Sequence, residues 1–149
     1  MAHVEFALSD LTDPGRLPGG FSGSLDLWAQ TVSVAGEACL LLDDSGVVVA
    51  ASPGCLPMLG VNPRDAVRRS LVGGVLHLLD FGPIISDLPA WEIDKIPPRL
   101  AARTGGLSRG LLRFAAPGGP RTVDAISVPL RDGGDGPVVG SLTFFALVR

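Results

Sequence analysis

Two short apolar segments joined by an acidic turn are the feature that most constrains the fold of this chain. Ala38–Leu42 is apolar, Asp43–Gly46 has the polar and glycine residues typical of a turn, and Val47–Ala51 is apolar and rich in β-branched residues. Two such segments separated by a glycine-containing turn predict a β-hairpin. The sequence therefore predicts an early pair of antiparallel strands.

Three longer extended segments are predicted near the carboxyl end of the sequence, with glycine-rich turns between them. In order, they are Leu107–Ala115, Arg121–Leu130 and Val138–Val148. In the first of them, Leu112 and Phe114 alternate with Arg109 and Arg113. Alternation places successive side chains on opposite faces of a strand, so the apolar pair is predicted to face the core.

Short helices are predicted between the two sets of strands. Ser52 and Pro53 are typical of a helix start, and Gly60 is typical of a helix end. Further short helices are predicted at Pro63–Arg69, Leu71–Leu79 and, after a proline-rich segment at 82–98, Pro98–Thr104. The predicted order from residue 37 is therefore two strands, several short helices and three strands.

The amino-terminal region is divided into a leader and a helix. Residues 1–23 contain many turn residues and are predicted to form a flexible leader, residues 24–36 a flanking helix, and residues 37–149 the main domain. Within the helix, four apolar residues recur at helical spacing and form one stripe. They are Leu25, Trp28, Val32 and Ala35. This stripe either packs on the chain's own sheet or pairs with the same helix of a second copy.

Length, composition and charge limit the classes of protein to which this chain can belong. The chain has 149 residues, is 46% hydrophobic and carries a net charge of −3, which fits one folded domain and gives no electrostatic footprint for nucleic acid. The first residues lack the pattern of a signal peptide, and prolines and glycines interrupt the long uncharged stretch Val47–Pro63. We therefore expect a cytoplasmic protein without a membrane segment. The preference for arginine over lysine indicates a bacterial source, with an actinobacterium as the compositional guess.

The catalytic and metal-binding patterns in this sequence lack the structural context or the spacing that their chemistry needs. Gly106–Gly110 matches the G-x-S-x-G pattern, but it leads into a predicted strand, and both histidines, His3 and His77, precede it. Cys39 and Cys55 lie in apolar segments and lack the spacing of zinc ligands. We therefore predict no catalytic residue and no metal site.

The order of elements and two local motifs resemble the PAS domain family. The resemblance runs from Glu37 to Val148 and is best over Ala38–Val61, with a second similar stretch at Ser70–Phe81. It implies an α+β fold, in which a five-stranded antiparallel sheet in the order 2-1-5-4-3 carries short helices on one face. Ser52 stands where the family often has asparagine, and serine can also cap a helix.

The resemblance also implies a ligand cavity between the sheet and the helices. The candidate cavity residues are His77, Trp91, Cys55, Leu112 and Phe114. We expect His77 to be a satisfied structural histidine, with a ligand contact as the alternative. We expect Trp91 to plug the core, with a lid over a ligand as the alternative. No histidine occurs where haem-binding members place theirs, and the Asn-Cys-Arg-Phe-Leu-like flavin motif is absent. We therefore expect neither haem nor flavin.

The function implied by the resemblance is a non-catalytic sensory or protein-interaction module in bacterial signal transduction or transcriptional regulation. We expect a small apolar ligand in the cavity, a homodimer formed through Leu25, Trp28, Val32 and Ala35, and an output domain or partner protein. The alternative is a ligand-free dimerisation adaptor of related fold. A small enzyme ranks last, because no convergent acid–base set is visible.

Overall fold

A computed structural model describes residues 23–149 of the chain. The predicted leader lies outside these residues, apart from Gly23. The helices are α1 (Gly23–Ser33), α2 (Cys55–Leu59), α3 (Ala90–Ile93) and α4 (Pro97–Thr104), with a 3₁₀ turn at Pro63–Asp65. The strands are β1 (Cys39–Asp43), β2 (Val48–Ala51), β3 (Leu78–Leu79), β4 (Ser108–Ala116), β5 (Gly119–Arg131) and β6 (Val138–Leu147).

All six strands form one antiparallel sheet in the order β2-β1-β6-β5-β4-β3. The prediction of an α+β fold with an antiparallel sheet is confirmed, but the predicted count of five strands is wrong. The sixth strand is β3, which pairs with Phe114 and Arg113 at the edge of the sheet. Without β3, the remaining strands follow the predicted spatial order. Only two residues of β3 are extended, which is too short for an alternating pattern to be visible in the sequence.

The predicted helix at Leu71–Leu79 is a second error. Residues 71–76 form turns and isolated bridges, His77 lies in irregular chain, and Leu78–Leu79 is β3. A short apolar segment fits a buried strand as well as a helix, and Gly73 adopts a positive φ of 83° that breaks a helical path. His77 therefore does not lie on an apolar helix. The helix predicted at Pro63–Arg69 is reduced to the 3₁₀ turn, which Asn62 caps.

Ser52 has a different role from the predicted helix cap. Its side chain is fully buried, and its Oγ accepts a hydrogen bond from the backbone N–H of Cys39 at 2.9 Å. Helix α2 begins three residues later and has no side-chain cap, whereas its predicted end at Gly60 is confirmed by a left-handed φ of 71°. Ser52 thus ties the end of β2 to the start of β1.

The sheet buries apolar side chains on both faces. The face that carries the short helices packs against α2, α4 and the segments between them, and the opposite face packs against α1. The helix-side core consists of Leu40, Leu42, Val48, Cys55, Leu59, Leu71, Leu76, Leu78, Ile96, Leu112, Phe114, Val123, Ala125 and Phe145. The α1-side core consists of Leu25, Val32, Cys39, Leu41, Ala50, Leu130 and Leu142.

The α1 helix lies on β1 and β2 of its own chain. Leu25 and Val32 are buried there, so these two residues of the stripe pack on the sheet of their own chain. Gly140 of β6 permits this close approach, since an added Cβ at this position would run into the backbone oxygen of Leu42 and lie 3.2 Å from Leu25 Cδ1.

The packing of α1 predicts a sharp difference between two valines of the same helix. Val32 is 1% exposed and Val34 is 81% exposed. Val32→Ala should lower the free energy of unfolding by about 2 kcal/mol, because it removes two buried methyl groups and leaves a cavity. Val34→Ala should change it by less than about 0.5 kcal/mol. Urea denaturation of both variants measures this, and equal effects would mean that α1 is not docked on the sheet.

Candidate functional site

Three of the five predicted cavity residues come together on the helix side of the sheet. Cys55 on α2 and Leu112 and Phe114 on β4 belong to the same buried cluster. Phe114 is 0% exposed, and its ring fills the space between the sheet and the helices. Leu, Val and Phe side chains therefore pack at the position where the resemblance implies a ligand.

His77 lies outside that cluster. Its side chain is exposed, and Nε2 lies 2.6 Å from Oδ1 of Asp87, ten residues further along the chain. This pair joins the start of β3 to the returning segment, where Leu88 N–H donates to Leu78 O at 3.0 Å. The contacts of His77 are those of a surface residue with a structural partner.

Trp91 is also on the surface. It lies on α3, is 62% exposed, and has Lys95 Nζ at 4.9 Å from the centre of its ring. The interpretation of Trp91 as a plug of the core is therefore wrong. The short helix α3 places the ring outward, and the proline-rich sequence around it gave no periodicity from which its direction could be predicted.

A cavity of about 330 Å³ lies instead beside the β1–β2 turn, between that turn and α4. Its floor includes Leu42, Leu71 and Ile96, which are members of the helix-side core. Further wall residues are Asp44, Ser45, Gly46, Ser70, Val72, Pro98, Ala102 and Ser141. None of the five predicted residues lines it, because a turn and a short helix that are far apart in sequence form its walls.

Charged side chains of both signs surround this cavity. Asp43 Oδ1 accepts the backbone N–H groups of Ser45 at 2.9 Å and Val47 at 3.0 Å, so this carboxylate is committed to the turn. Arg99 donates to Asp94 at 3.2 Å. Arg103 follows Arg99 by one helical turn on α4 and has no ion pair or hydrogen bond within the described part of the chain. An apolar floor beneath a charged rim suits a small molecule with an apolar body and a polar end.

The buried polar residues between the sheet and helices are already paired. Ser127 on β5 and Thr143 on β6 are 0% exposed, and their side-chain oxygens lie 2.6 Å apart. No buried side-chain nitrogen or oxygen within residues 23–149 lacks a hydrogen-bond partner. These hydroxyls therefore hydrogen-bond to each other within the sheet and are not left unpaired for a ligand.

Cys39 and Cys55 are buried thiols with raised pKa values. Burial raises the pKa of Cys55 to about 12, and burial also raises the pKa of Cys39. Cys39 belongs to the α1-side core and Cys55 to the helix-side core. Within residues 23–149 no group of three or more His, Cys, Asp or Glu side chains could hold a metal ion.

The four residues of the amino-terminal stripe have different surroundings. Leu25 and Val32 are buried by their own chain and Ala35 is partly buried, whereas Trp28 is 38% exposed. A dimer through this helix would therefore have to use Trp28 and its neighbours on the surface. No helix among the described residues is long and apolar enough to cross a bilayer.

The state of Cys55 gives a direct test of the packed interior. At pH 8 the thiol is protonated and buried, so the native chain should react with a thiol reagent such as dithionitrobenzoate at least 100-fold more slowly than the unfolded chain. Cys39→Ala removes the second thiol, so that Cys55 alone is measured. Fast reaction of native Cys39→Ala protein would show that the helix-side core is open around Cys55.

No profile of a known protein family matches the sequence, and no curated protein sequence matches it significantly. Solved structures do match. A PAS domain from Colwellia psychrerythraea is 18% identical with a TM-score of 0.58, and the match covers 84% of this chain and 97% of that one. The LOV protein of Rhodobacter sphaeroides is 20% identical with a TM-score of 0.62, covering 87% of this chain and 69% of that one.

A protein described in the absence of its target DNA also matches. VqmA of Vibrio cholerae, described as a dimer and discussed with the DNA-binding mechanisms of LuxR-type receptors, is 17% identical with a TM-score of 0.57. The match covers 88% of this chain but 52% of that one, so this chain spans about half the length of VqmA. All of these structures are PAS or LOV domains or proteins that contain a similar region. The chain described here therefore has the PAS fold.

Proposed function

We propose that this chain is a non-catalytic sensory and protein-interaction module of bacterial, cytoplasmic signal transduction or transcriptional regulation. The proposal is supported by the likeness to PAS and LOV domains and to VqmA, which is described in connection with target DNA and LuxR-type receptors. The chain would pass its signal to an output domain or to a partner protein.

The cavity beside the β1–β2 turn is the observation that carries the sensory part of this proposal. Its floor, Leu42, Leu71 and Ile96, is shared with the core that holds the sheet against the helices. A small molecule with an apolar body would contact these residues directly, so its binding would stabilise the packing of α4 on the sheet. VqmA, one of the similar structures, is described as bound to DPO. Haem and flavin are not part of this proposal.

Dimerisation is the second part of the proposal. Trp28 exposes 38% of its surface on α1, and Phe144 exposes the same fraction on the sheet face that α1 covers in part. Tryptophan is a common anchor of protein interfaces. VqmA is described as a dimer. We therefore propose a homodimer with Trp28 at its interface, while Leu25, Val32 and Ala35 support the helix from beneath.

A ligand-free dimerisation adaptor remains the second candidate function. The tight packing around Phe114, between the sheet and the helices, favours it. The two candidates differ in whether a small molecule occupies the cavity, so one experiment separates them. An enzyme of the same fold ranks last.

The ligand part of the proposal predicts a copurifying molecule. A native mass spectrum of the freshly purified chain should show a non-covalent small-molecule adduct that denaturation releases. Ala102 lines the cavity, so Ala102→Phe should reduce the adduct at least tenfold by filling the site. Ala90→Phe, at an exposed position on α3, is the matched control and should retain the adduct. Absence of any adduct, or equal adducts in both variants, would favour the adaptor.

The dimer part predicts different effects for the two tryptophans. Trp28→Ala should weaken self-association by about 2 kcal/mol, or roughly 30-fold in Kd, because it removes an interface anchor. Trp91→Ala is the control, since Trp91 lies on α3 away from α1 in the chain. Sedimentation or light scattering over a dilution series measures both. A mass that stays monomeric for the unmodified chain, or a Kd unaffected by Trp28→Ala, would contradict the proposed interface.

A further inference from the structure

Strand β4 is covered along only part of its outer edge. Its neighbour β3 pairs Leu78 with Phe114 and Leu79 with Arg113, and the N–H of Ala115 donates to His77 O at 3.0 Å. The ladder ends there, because the chain turns away after β3 and the N–H of Asp80 bonds to Ser86 O at 2.9 Å. Residues 108–112 of β4 therefore continue beyond the end of β3.

The direction of the backbone groups in this uncovered part follows from the ladder. Successive residues of a strand point their N–H and C=O groups to opposite edges, and Ala115 points toward β3. Arg113, Leu111 and Arg109 therefore point the same way. The pairing of β5 gives the same result. The N–H of Val148 donates to Thr122 O at 3.0 Å, so the backbone groups of the even-numbered residues of β5 point toward β6. The backbone groups of its odd-numbered residues therefore point toward β4, where they bond to the even-numbered residues of that strand.

Leu111 and Arg109 are consequently left with open backbone groups. No hydrogen bond within residues 23–149 reaches the backbone N–H or C=O of either residue from that edge. A row of unpaired groups along a strand is a template for one more extended chain. The spacing of these groups is matched by the backbone of a strand and not by a small molecule or a helix.

A groove of about 140 Å³ runs beside this edge. Its apolar wall residues include Phe81, Leu111 and Leu112, and α3 together with the residues after it contributes Glu92 and Lys95. Phe81 and Leu111 are more than half exposed, as large apolar side chains at a docking surface would be. The groove therefore offers apolar contacts beside the open backbone groups.

The charge around the groove favours an acidic partner. Arg109 is held by Asp124 at 2.5 Å, so this pair is close to neutral. Arg113 donates to the carbonyl oxygens of Asp80 at 3.2 Å and Gly82 at 3.3 Å. The Asp80 carboxylate, whose pKa is lowered first by the hydrogen bond from Ser86 and also by the charge of Arg113, lies near it but is not among the residues that line the groove. Among the residues that line the groove, Arg113 and Lys95 are the cations outside the Arg109–Asp124 pair, and Glu92 is the one carboxylate. A segment with carboxylates complements this balance.

We propose that the open edge of β4 at residues 109–111 binds an extended acidic and apolar segment of a partner protein, which adds to the sheet as a strand in line with β3. Backbone hydrogen bonds to Arg109 and Leu111 supply the binding, and alternate side chains reach the groove. This surface is separate from the Trp28 interface and from the cavity beside the β1–β2 turn. It would give the module a protein contact independent of either.

The test uses the full chain and an eight-residue capped peptide in which Val and Glu alternate. Amide hydrogen exchange, followed by NMR, should show that the Arg109 and Leu111 amides exchange freely in the protein alone and at least tenfold more slowly with saturating peptide. N-methylation of those backbone amides of the peptide that face β4 should weaken binding about tenfold, because one to two hydrogen bonds are lost. N-methylation of the alternate amides should leave binding unchanged. A peptide with Lys in place of Glu should bind more weakly.

Two protein variants accompany the peptides. Leu111→Pro removes an N–H that makes no ladder bond, so the fold should persist and peptide binding should fall; Leu112→Pro removes a ladder bond to β5 and should destabilise the sheet. If Leu111→Pro does not fold, the N-methylated peptides still decide the question. The proposal is overturned if the Glu and Val peptide protects neither amide at millimolar concentration. It is also overturned if both amides are already protected in the protein alone, whether by a second copy or by another part of the chain.

Discussion

The pairing of β1 with β6 is the interaction on which the rest of the structure depends. It places Leu40 opposite Thr143 and Leu41 opposite Leu142, joining residues that are about a hundred positions apart in the sequence. This pairing unites the early hairpin and the three late strands in one sheet. Both cores require it, because Leu40 belongs to the helix-side core and Leu41 to the α1-side core.

The two faces of that junction explain the positions of the helices. On one face, Gly140 leaves space for α1 to approach β6, and Leu25 contacts the sheet there. On the other face, Ala101 of α4 is fully buried, so this helix lies close to the strands. A single pair of central strands is thus buried on both sides, and such burial specifies register strongly.

The surfaces with functional interest lie where this regular packing stops. The cavity beside the β1–β2 turn forms where the hairpin turn and α4 diverge, and its floor remains part of the core. The open edge of β4 forms where β3 ends after two residues. Occupation of the first would act on the packing of α4, whereas occupation of the second would extend the sheet.

The elements that were predictable from the sequence are those with a local signal. The early hairpin and the three late strands have apolar alternation and glycine-containing turns, and their spatial order, apart from β3, is confirmed. His77 and Trp91 were misplaced because short apolar or proline-rich segments carry no period that fixes their direction. The cavity was missed altogether, since Asp44, Ser70 and Arg103 are brought together only by tertiary structure. The role of Ser52 was missed because its hydrogen bond to Cys39 spans the hairpin.

The most direct test of the central claim is the cross-strand contact between β1 and β6, measured by NMR. Ala38 O accepts the N–H of Phe145 at 2.9 Å, which makes Leu41 and Leu142 a pair without mutual hydrogen bonds, the kind of pair whose Cα atoms lie closest. A strong nuclear Overhauser effect between the α-protons of Leu41 and Leu142 is therefore expected. If that contact is absent while the hairpin contacts between Leu41 and Ala50 are present, the late strands form a separate layer and the PAS architecture does not hold for this chain.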